Sequence, residues 1–223
     1  PNGTESLLVG TDQTITWTSN GSIANVKLQL STDGQVSWLS IADSTPNDGS
    51  HPWQVPDEIS STCRVRVSDV DDPDAADISN QNFKIRGSVT LTYPVGGEKW
   101  TVGSSQNILW SRIGSIANVK LEFSNNGTLF TEIIESTPND GSFNWQVPDS
   151  ITTKGLMRIS DALDPTVTHT CAGFFKIQGS FDVTSPNGGE AWQAASQHDI
   201  TWNKNGSVGF VNLYYSKDSG QTW

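Results

Sequence analysis

The segment Gly21–Leu28 reads GSIANVKL, and the same letters return at Gly114–Leu121. Three further segments recur downstream at nearly the same distance: STPNDGS at 44–50 and 136–142, WQVPD at 53–57 and 145–149, and FKI at 83–85 and 175–177. A Pro-x-Gly opening precedes each copy, at Pro1, Pro94 and Pro186. The chain of 223 residues is therefore an internal repeat whose period is about 92 residues.

The length of the repeat period distinguishes between the possible repeat architectures. Propeller blades and helical or leucine-rich repeats recur every ~20–50 residues, whereas a unit of about 92 residues is a complete small domain. We expect domains at 1–87, 88–179 and 180–223, with the opening strand of the first missing and only the N-terminal part of the third included. Only Arg86-Gly87-Ser88 and Gln178-Gly179-Ser180 separate successive units, and linkers this short predict a stiff rod.

Within each unit the apolar residues alternate with polar ones, which predicts strands. In the second unit we expect strands around 89–93, 99–102, 107–110, 119–123, 129–134, 143–147, 155–160 and 174–177. Gly, Asn, Asp or Pro interrupts nearly every gap, as is typical of tight hairpin turns. The pattern predicts an all-β protein made of tandem Ig-like or fibronectin-III-like β-sandwiches. Two sets of tryptophans at equivalent positions are predicted core anchors: Trp17, Trp110 and Trp202, and Trp53 and Trp145.

Charge and motif content exclude several functions. The chain carries 24 acidic against 13 basic residues, a net charge of −11, which disfavours binding to nucleic acid or anionic lipid. No apolar run reaches the ~20 residues needed to insert into a membrane. There is no G-x-S-x-G or H-E-x-x-H motif, and the three histidines occupy different positions in their repeats. We therefore expect no enzyme activity, no catalytic residues and no organic cofactor.

The strongest candidate for a metal site is an acidic run in the first unit. It contains Asp69, Asp71, Asp72, Asp74 and Asp77, in a predicted loop between the last two strands. Carboxylates at this density suit calcium, although their spacing does not match an EF-hand loop. The alternatives are a calcium site and a solvated acidic loop in which Asp69 and Asp72 cap the turn before Pro73.

Each of the first two units has one cysteine, and the two lie at different repeat positions. Cys63 corresponds to Gly155, and Cys171 corresponds to Ser79, so no disulfide can form within a unit. The alternatives are idle buried thiols and a disulfide between neighbouring units or copies, which an oxidising exterior would favour.

Asparagine sequons occur in predicted turns. Asn20, Asn126 and Asn205 are candidate glycosylation sites, whereas Asn2 lies very near the first residue. Asn-Gly is also a common turn pair, so the same residues have a purely structural explanation.

Several of these motifs together resemble a known repeat. The openings P-V-G-G-E-K-W (94–100) and P-N-G-G-E-x-W (186–192), the N-V-K-L strands and the N-D-G-S…W-x-V-P run are similar to the Ig-like repeat of fungal Ser/Thr-rich GPI-anchored and cell-wall-synthesis proteins, found also in large bacterial and archaeal surface proteins. The resemblance implies an extracellular β-sandwich that serves as a stalk, wall or adhesion module, and it brings no catalytic residues. The first unit departs at Leu7, where the others have Trp100 and Trp192, and we expect its opening strand to pack differently.

A second resemblance concerns one turn. The segment 216–223, S-K-D-S-G-Q-T-W, is similar to the Asp-box hairpin of sialidases, and Ser31-Thr32-Asp33-Gly34 is a looser copy. In that family the motif is structural, and here it recurs at the domain period instead of at blade spacing. We expect a hairpin turn and no glycosidase.

The leading hypothesis is a structural region of an extracellular surface protein, a stiff rod that forms an adhesin stalk or a filament or cell-wall subunit. Its expected partners are other copies or adjacent repeats. The alternative is a carbohydrate-binding or accessory module of a secreted glycan-active protein, in which Trp38, Trp100, Trp192 or Trp223 would stack on surface glycans.

Overall fold

A computed structural model describes all 223 residues, which form nineteen strands and no helix. The first repeat contains β1 (Ser6–Leu8), β2 (Asp12–Thr16), β3 (Asn25–Ser31), β4 (Leu39–Pro46), β5 (Ser50–Gln54), β6 (Ser60–Asp69), β7 (Ala76–Ile78) and β8 (Phe83–Arg86). The second contains β9 (Ser88–Tyr93), β10 (Lys99–Thr101), β11 (Ser105–Ile113), β12 (Asn118–Ser124), β13 (Thr131–Pro138), β14 (Ser142–Gln146), β15 (Thr152–Asp161), β16 (Thr168–Thr170) and β17 (Phe175–Gln178). The third contains β18 (Ser180–Ser185) and β19 (Thr201–Asn205).

The second repeat is a two-layer sandwich. Its larger sheet has the order β10-β17-β15-β12-β13, with β16 added beside β15, and its smaller sheet has the order β14-β11-β9. The strands are antiparallel except for β10, which runs parallel to β17. Both sheets send buried side chains into a single core. The predicted all-β, Ig-like or fibronectin-III-like sandwich is confirmed, and β7 and β16 are the strands that the sequence pattern did not reveal.

Aromatic rings dominate the core of the second repeat. The Trp100 ring lies 4.4 Å from the ring of Phe175 and 5.7 Å from that of Trp145, measured between centroids. Phe123 stacks on the other side of the same group, 5.1 Å from Trp145. Rings at these distances gain more than their area burial alone, and the group joins the two sheets.

The first repeat has the same larger sheet, in the order β1-β8-β6-β3-β4 with β7 beside β6. Leu7 pairs with Ile85 in that sheet as Trp100 pairs with Ile177 in the second repeat, so the backbone of the opening segment is equivalent in both. The register of this strand is the same in both repeats, whereas its packing differs, because leucine takes the place of tryptophan. The smaller sheet differs, because it contains only β2 and β5 and has no counterpart of β9.

Leucine can replace tryptophan in this strand because the side-chain volume at a second position changes in the opposite direction. Cys63 pairs with Phe83 in the first repeat, and Gly155 pairs with Phe175 in the second. A Cβ atom added at Gly155 would lie only 2.6 Å from the Phe175 ring. The second repeat therefore combines a large Trp100 with no side chain at 155, whereas the first combines a smaller Leu7 with the fully buried Cys63. Close packing favours such matched pairs of volumes.

The predicted tryptophan anchors are buried to different degrees. Trp53, Trp110 and Trp145 lie in the core, while Trp17 and Trp202 are half-buried. The Trp110 indole donates a hydrogen bond to the buried Asn139 Oδ1 at 2.6 Å, and Trp17 donates to Asn47 Oδ1 at 2.7 Å. This repeated bond ties the smaller sheet to the N-D-G turn and satisfies the indole N–H.

The third repeat forms only two paired strands, β18 and β19. Residues around Val211–Leu213 correspond to the central strand β12 but form no strand. In the second repeat β12 lies between β13 and β15, and no such neighbours flank residues 211–213. Their backbone groups and apolar side chains stay exposed, including Phe210, Leu213 and Tyr214. A segment with alternating apolar residues forms a strand only where neighbouring strands can pair with its backbone.

Candidate functional site: the junctions between repeats

Each junction between repeats contains a single connecting residue. β8 ends at Arg86 and β9 begins at Ser88, so only Gly87 separates the two domains; Gly179 plays the same part between β17 and β18. A Cβ atom at Gly87 would lie 2.4 Å from the Ile113 carbonyl oxygen, and one at Gly179 would lie 2.6 Å from the Asn205 carbonyl oxygen. Both contacts are with backbone that is held by strand pairing. Glycine is therefore the residue that both close approaches permit.

A pair of hydrogen bonds clamps the first junction. The carboxylate of Asp57, from the first repeat, accepts the Ser115 N–H at 2.8 Å and the Ser115 hydroxyl at 2.5 Å, from the second. At the second junction Asp149 accepts the Ser207 N–H at 2.9 Å and its hydroxyl at 2.5 Å. The hydrogen bonds from Ser207 lower the pKa of Asp149. Two independent junctions thus have the same geometry, which indicates one fixed way of joining repeats.

The recurring sequence explains this clamp. Asp57 and Asp149 end the W-Q-V-P-D segments, and Ser115 and Ser207 follow a glycine in the G-S-I/V segments. Gly114 has φ +81° and Gly206 has φ +90°, a backbone conformation that suits glycine and turns the serine N–H toward the aspartate. A Cβ at Gly114 would lie 3.2 Å from Val9 Cγ2, and one at Gly206 would lie 3.1 Å from Val102 Cγ2.

An ion pair adds to the first junction. Lys84 Nζ, on β8 of the first repeat, pairs with Asp164 of the second and donates to the Thr166 hydroxyl at 3.1 Å. Burial would raise the pKa of Asp164, but hydrogen bonds from Lys84 and Thr166 outweigh it, and the pKa is lowered. The pair is partly shielded from water, since the two side chains are 27% and 22% exposed. A shielded pair of this kind holds its geometry better than a fully exposed one.

The acidic run does not converge on a point. Nowhere in the chain do three His, Cys, Asp or Glu side chains form a group that could hold a metal ion. Instead Asp69 accepts the Asp71 N–H at 3.0 Å, and Asp72 accepts the Asp74 N–H at 3.2 Å. Asp77 lies apart on β7. The residues do not fit a calcium site here, and their geometry favours the turn-capping interpretation.

The two cysteines lie in separate cores. Cys63 is completely buried in the first repeat and Cys171 is 5% exposed in the second, and both are free thiols. Burial raises the pKa of each thiol, so little reactive thiolate is present near neutral pH. A disulfide between neighbouring units or between copies would require both of the cores that hold its cysteines to open, and it stays a prediction without support from the geometry.

The three sequon asparagines are exposed but differ in their contacts. Asn20 lies in an exposed stretch after β2. Asn126 Oδ1 accepts the Thr128 N–H at 2.9 Å and the Leu129 N–H at 2.8 Å, so this side chain shapes the turn. Asn205 Nδ2 donates to the Val102 carbonyl at 2.6 Å across the second junction. A glycan on Asn205 would replace that bond, whereas Asn20 is the freest of the three candidates.

The four tryptophans that were candidates for stacking on sugars differ in how much of each ring is exposed. Trp100 is a core residue, 3% exposed. Arg66 covers the Trp38 ring at 4.7 Å, and His198 stacks on Trp192 at 4.4 Å. Trp223 alone among them is widely exposed, at 76%. Of the four candidates, Trp223 is therefore the one whose ring is open to a glycan.

The Asp-box-like turns and the opening glutamates have structural roles. Asp33 accepts hydrogen bonds from Ser31, Ser37 and Val36 N–H, and Asp218 accepts bonds from Ser216 and Thr222. In the opening turns, Glu5, Glu98 and Glu190 each accept two backbone N–H groups. The hydrogen bonds to these carboxylates complete turns. The structure also contains no helix that could span a membrane.

Comparison with known proteins assigns this chain to no family. No family model and no curated protein matches the chain. Among solved structures, the fibronectin(III)-like modules of Clostridium thermocellum CbhA are 13% identical with a TM-score of 0.30, covering 80% of this chain and 91% of that one. The four N-terminal Ig domains of Dscam1 isoform 8.4 are 7% identical with a TM-score of 0.41, covering 79% and 43%. A chimeric titin Z1Z2-Z1Z2 tandem is 12% identical with a TM-score of 0.29, covering 79% and 95%.

The hydrogen bonds between Asp57 and Ser115 were not predicted from the sequence, although the sequence contains a clue to them. W-Q-V-P-D and G-S-I-A-N were recognised as repeats, but nothing in their order placed the aspartate of one unit beside the serine of the next. The clue is Asp57, which recurs as Asp149 although it is not apolar and no turn requires it. The Lys84–Asp164 pair carries no such signal, because nothing in the sequence relates a lysine of one unit to a loop aspartate of the next.

Proposed function

We propose that this chain is a non-catalytic structural region of an extracellular surface protein, in which Ig-like repeats are joined into a stiff rod. The observation that carries the proposal is the equivalence of the two junctions. Each has a single glycine connection, an aspartate that clamps the serine of the next repeat, and a close glycine–valine contact. Junctions that share this clamp give successive repeats the same orientation, so length grows in proportion to repeat number.

The net charge of −11 supports the same function, since rods with a strong negative charge repel each other and stay extended. The resemblance to repeats of cell-wall and surface proteins supports an extracellular location and a stalk, filament or wall role. Burial of Trp100 and the covered faces of Trp38 and Trp192 weigh against a glycan-binding module.

The test is Asp57→Ala, with Glu58→Ala as its matched control. Both residues are exposed and adjacent in one loop, but only Asp57 bonds to the second repeat. Nitrogen-15 relaxation of backbone amides should give one common tumbling time for the first two repeats in the wild type and in Glu58→Ala. Asp57→Ala should shorten the tumbling time of each repeat and separate the two values. Equal tumbling in all three proteins would show that the clamp does not hold the junction, and separate tumbling in the wild type would refute the rod.

A further inference from the structure

The smaller sheet of the first repeat has an open edge beside a groove. In the second repeat β9 pairs with residues 109–113 of β11, whereas the equivalent residues 16–20 of the first repeat have no strand beside them. A groove of about 500 Å³ lies along this edge. Its lining includes the apolar side chains of Ile15, Trp17, Val65 and Val67 and two carboxylates, Glu5 and Asp77, of which Glu5 is already bonded to the N–H groups of the opening turn.

The second repeat shows what occupies the equivalent space. Val89 and Leu91 of β9 are both 4% exposed and cover Trp110 and Ile159, which are 5% and 0% exposed. The corresponding side chains of the first repeat, Trp17 and Val67, remain half-buried. An alternating strand that presents two apolar side chains would therefore complete this core.

The polar contacts of β9 also have counterparts. The Leu91 N–H donates to His169 Nδ1 at 3.2 Å. His169 pairs with Ile159 across the sheet, and Asp77 pairs with Val67 at the equivalent place in the first repeat. The Asp77 carboxylate, in the wall of the groove, is thus positioned to accept an amide N–H from an incoming strand.

Charge complements the groove. Lys84 lies on β8, four residues before β9 begins, and it pairs with Asp164 and Thr166 in the β15–β16 loop. The corresponding loop positions of the first repeat are Asp72 and Asp74, which are exposed. A strand added to this edge would bring a lysine, four residues before the strand, close to Asp72 and Asp74. Attraction to that lysine explains why this loop is acidic although it forms no metal site.

We propose that the groove of the first repeat, together with its acidic loop, receives the exit segment of another repeat of this kind: a lysine, a glycine–serine turn and a strand with alternating apolar residues. Such a segment exists twice here, as Lys84–Tyr93 and as Lys176–Ser185. The inference deepens the proposed function and rests on it, because it identifies the surface through which one repeat is added to the next. Binding occurs by β-augmentation, in which the backbone supplies affinity and the apolar pockets supply register.

The test uses the whole chain and a labelled synthetic peptide of the sequence Lys84–Tyr93. Fluorescence anisotropy should show saturable binding with one peptide per chain, and hydrogen exchange should slow at residues 16–20 and 65–67. The Leu91→Asp peptide should bind at least about tenfold more weakly, because a charge enters the apolar groove. The Thr90→Asp peptide is the matched control and should bind about as well as the original, since Thr90 faces outward.

The charge contribution is tested by a reciprocal exchange. The Lys84→Glu peptide should bind the wild-type chain more weakly at low salt, and the Asp72→Lys chain should recover that binding. Asp72 is exposed and bonds only within its own turn, to the Asp74 N–H, so the Asp72→Lys chain is compared after its circular dichroism and the hydrogen exchange of its cores are shown to match the wild type. Absence of saturable binding, equal binding of the Leu91→Asp and Thr90→Asp peptides, or protection confined to the third repeat would overturn the proposal. Since peptide binding does not depend on how rigidly repeats are joined, this outcome is independent of the rod test.

Discussion

Gly155→Cys introduces a side chain into a space that Phe175 already fills. The new Cβ would lie 2.6 Å from Phe175 Cε2 and 2.8 Å from Cδ2. The ring has little freedom to move away, because it is 1% exposed and 4.4 Å from the Trp100 ring. Overpacking of this kind typically destabilises a domain by about 1–3 kcal/mol. We expect Gly155→Cys to lower the free energy of unfolding of the second repeat by an amount in that range.

The same exchange should be better tolerated when Trp100 is also replaced. Trp100→Leu alone removes most of a buried ring, and by comparison with tryptophan-to-alanine changes it should cost about 2–4 kcal/mol. The double variant Trp100→Leu/Gly155→Cys recreates the combination of Leu7 and Cys63 in the first repeat. Phe175 can then shift into the vacated space, so the double variant should be about 1–2 kcal/mol more stable than the sum of the two single changes predicts.

Hydrogen exchange followed by mass spectrometry across a urea series measures this cycle, because peptides from 88–179 report the second repeat separately. The first repeat is the internal control, and its midpoint should not move. In thermal unfolding a change of 1 kcal/mol corresponds to roughly 4–8 °C for a domain of this size. Additive costs in the double variant, or a neutral Gly155→Cys, would refute the idea that the two positions compensate for each other through the phenylalanine.

Two further predictions concern pH and thiol reactivity. Hydrogen bonds from Ser37 lead the contributions that lower the pKa of Asp33 to about 2, below its ordinary value near 3.8. The stabilisation of this turn is therefore complete above pH ~4 and is lost as the pH falls toward 2, whereas the turn of the second repeat, which has Asn126 instead, should not respond; NMR shifts of the two sets of turn amides between pH 5 and 2 measure both. Cys63 and Cys171 should react with a thiol reagent slowly in the native protein and rapidly in denaturant, and fast native modification of either would contradict their burial.

The fold was predictable because the information was local and repeated. Alternation at Val89 and Leu91, the N-D-G turn at 139–141 and the recurrence of Trp53 at Trp145 each indicate strands and turns without reference to distant residues. The third repeat shows the limit of that reasoning. Val211 and Leu213 alternate as Val119 and Leu121 do, but they form no strand because no neighbouring strands receive their backbone hydrogen bonds.

The junctions were predictable only in part. The short linkers around Gly87 and Gly179 indicated closely joined domains, and the structure shows how little room those glycines have. Which side chains meet across a junction depends on the rotation between two domains, and no periodicity in the sequence encodes that angle. The contact between Asp57 and Ser115, separated by 58 residues, therefore had to come from the structure.

The acidic run illustrates how one composition supports different chemistry. Five aspartates within nine residues suggest a cation site when only their number is considered. Their positions divide them instead: Asp69 and Asp72 accept backbone N–H groups, Asp74 stands on the loop surface, and Asp77 lines the groove of the first repeat. The location of each carboxylate relative to the sheets, and not its proximity in sequence, decides its role.

The measurement that tests the central claim most directly is a set of residual dipolar couplings for backbone amides of the first two repeats in an aligned medium. If the Asp57–Ser115 clamp and the Gly87 connection hold the repeats in one orientation, a single alignment tensor must fit both domains with the same degree of order. Two tensors of different magnitude would mean that the repeats reorient independently, and the account of this chain as a stiff rod would be contradicted.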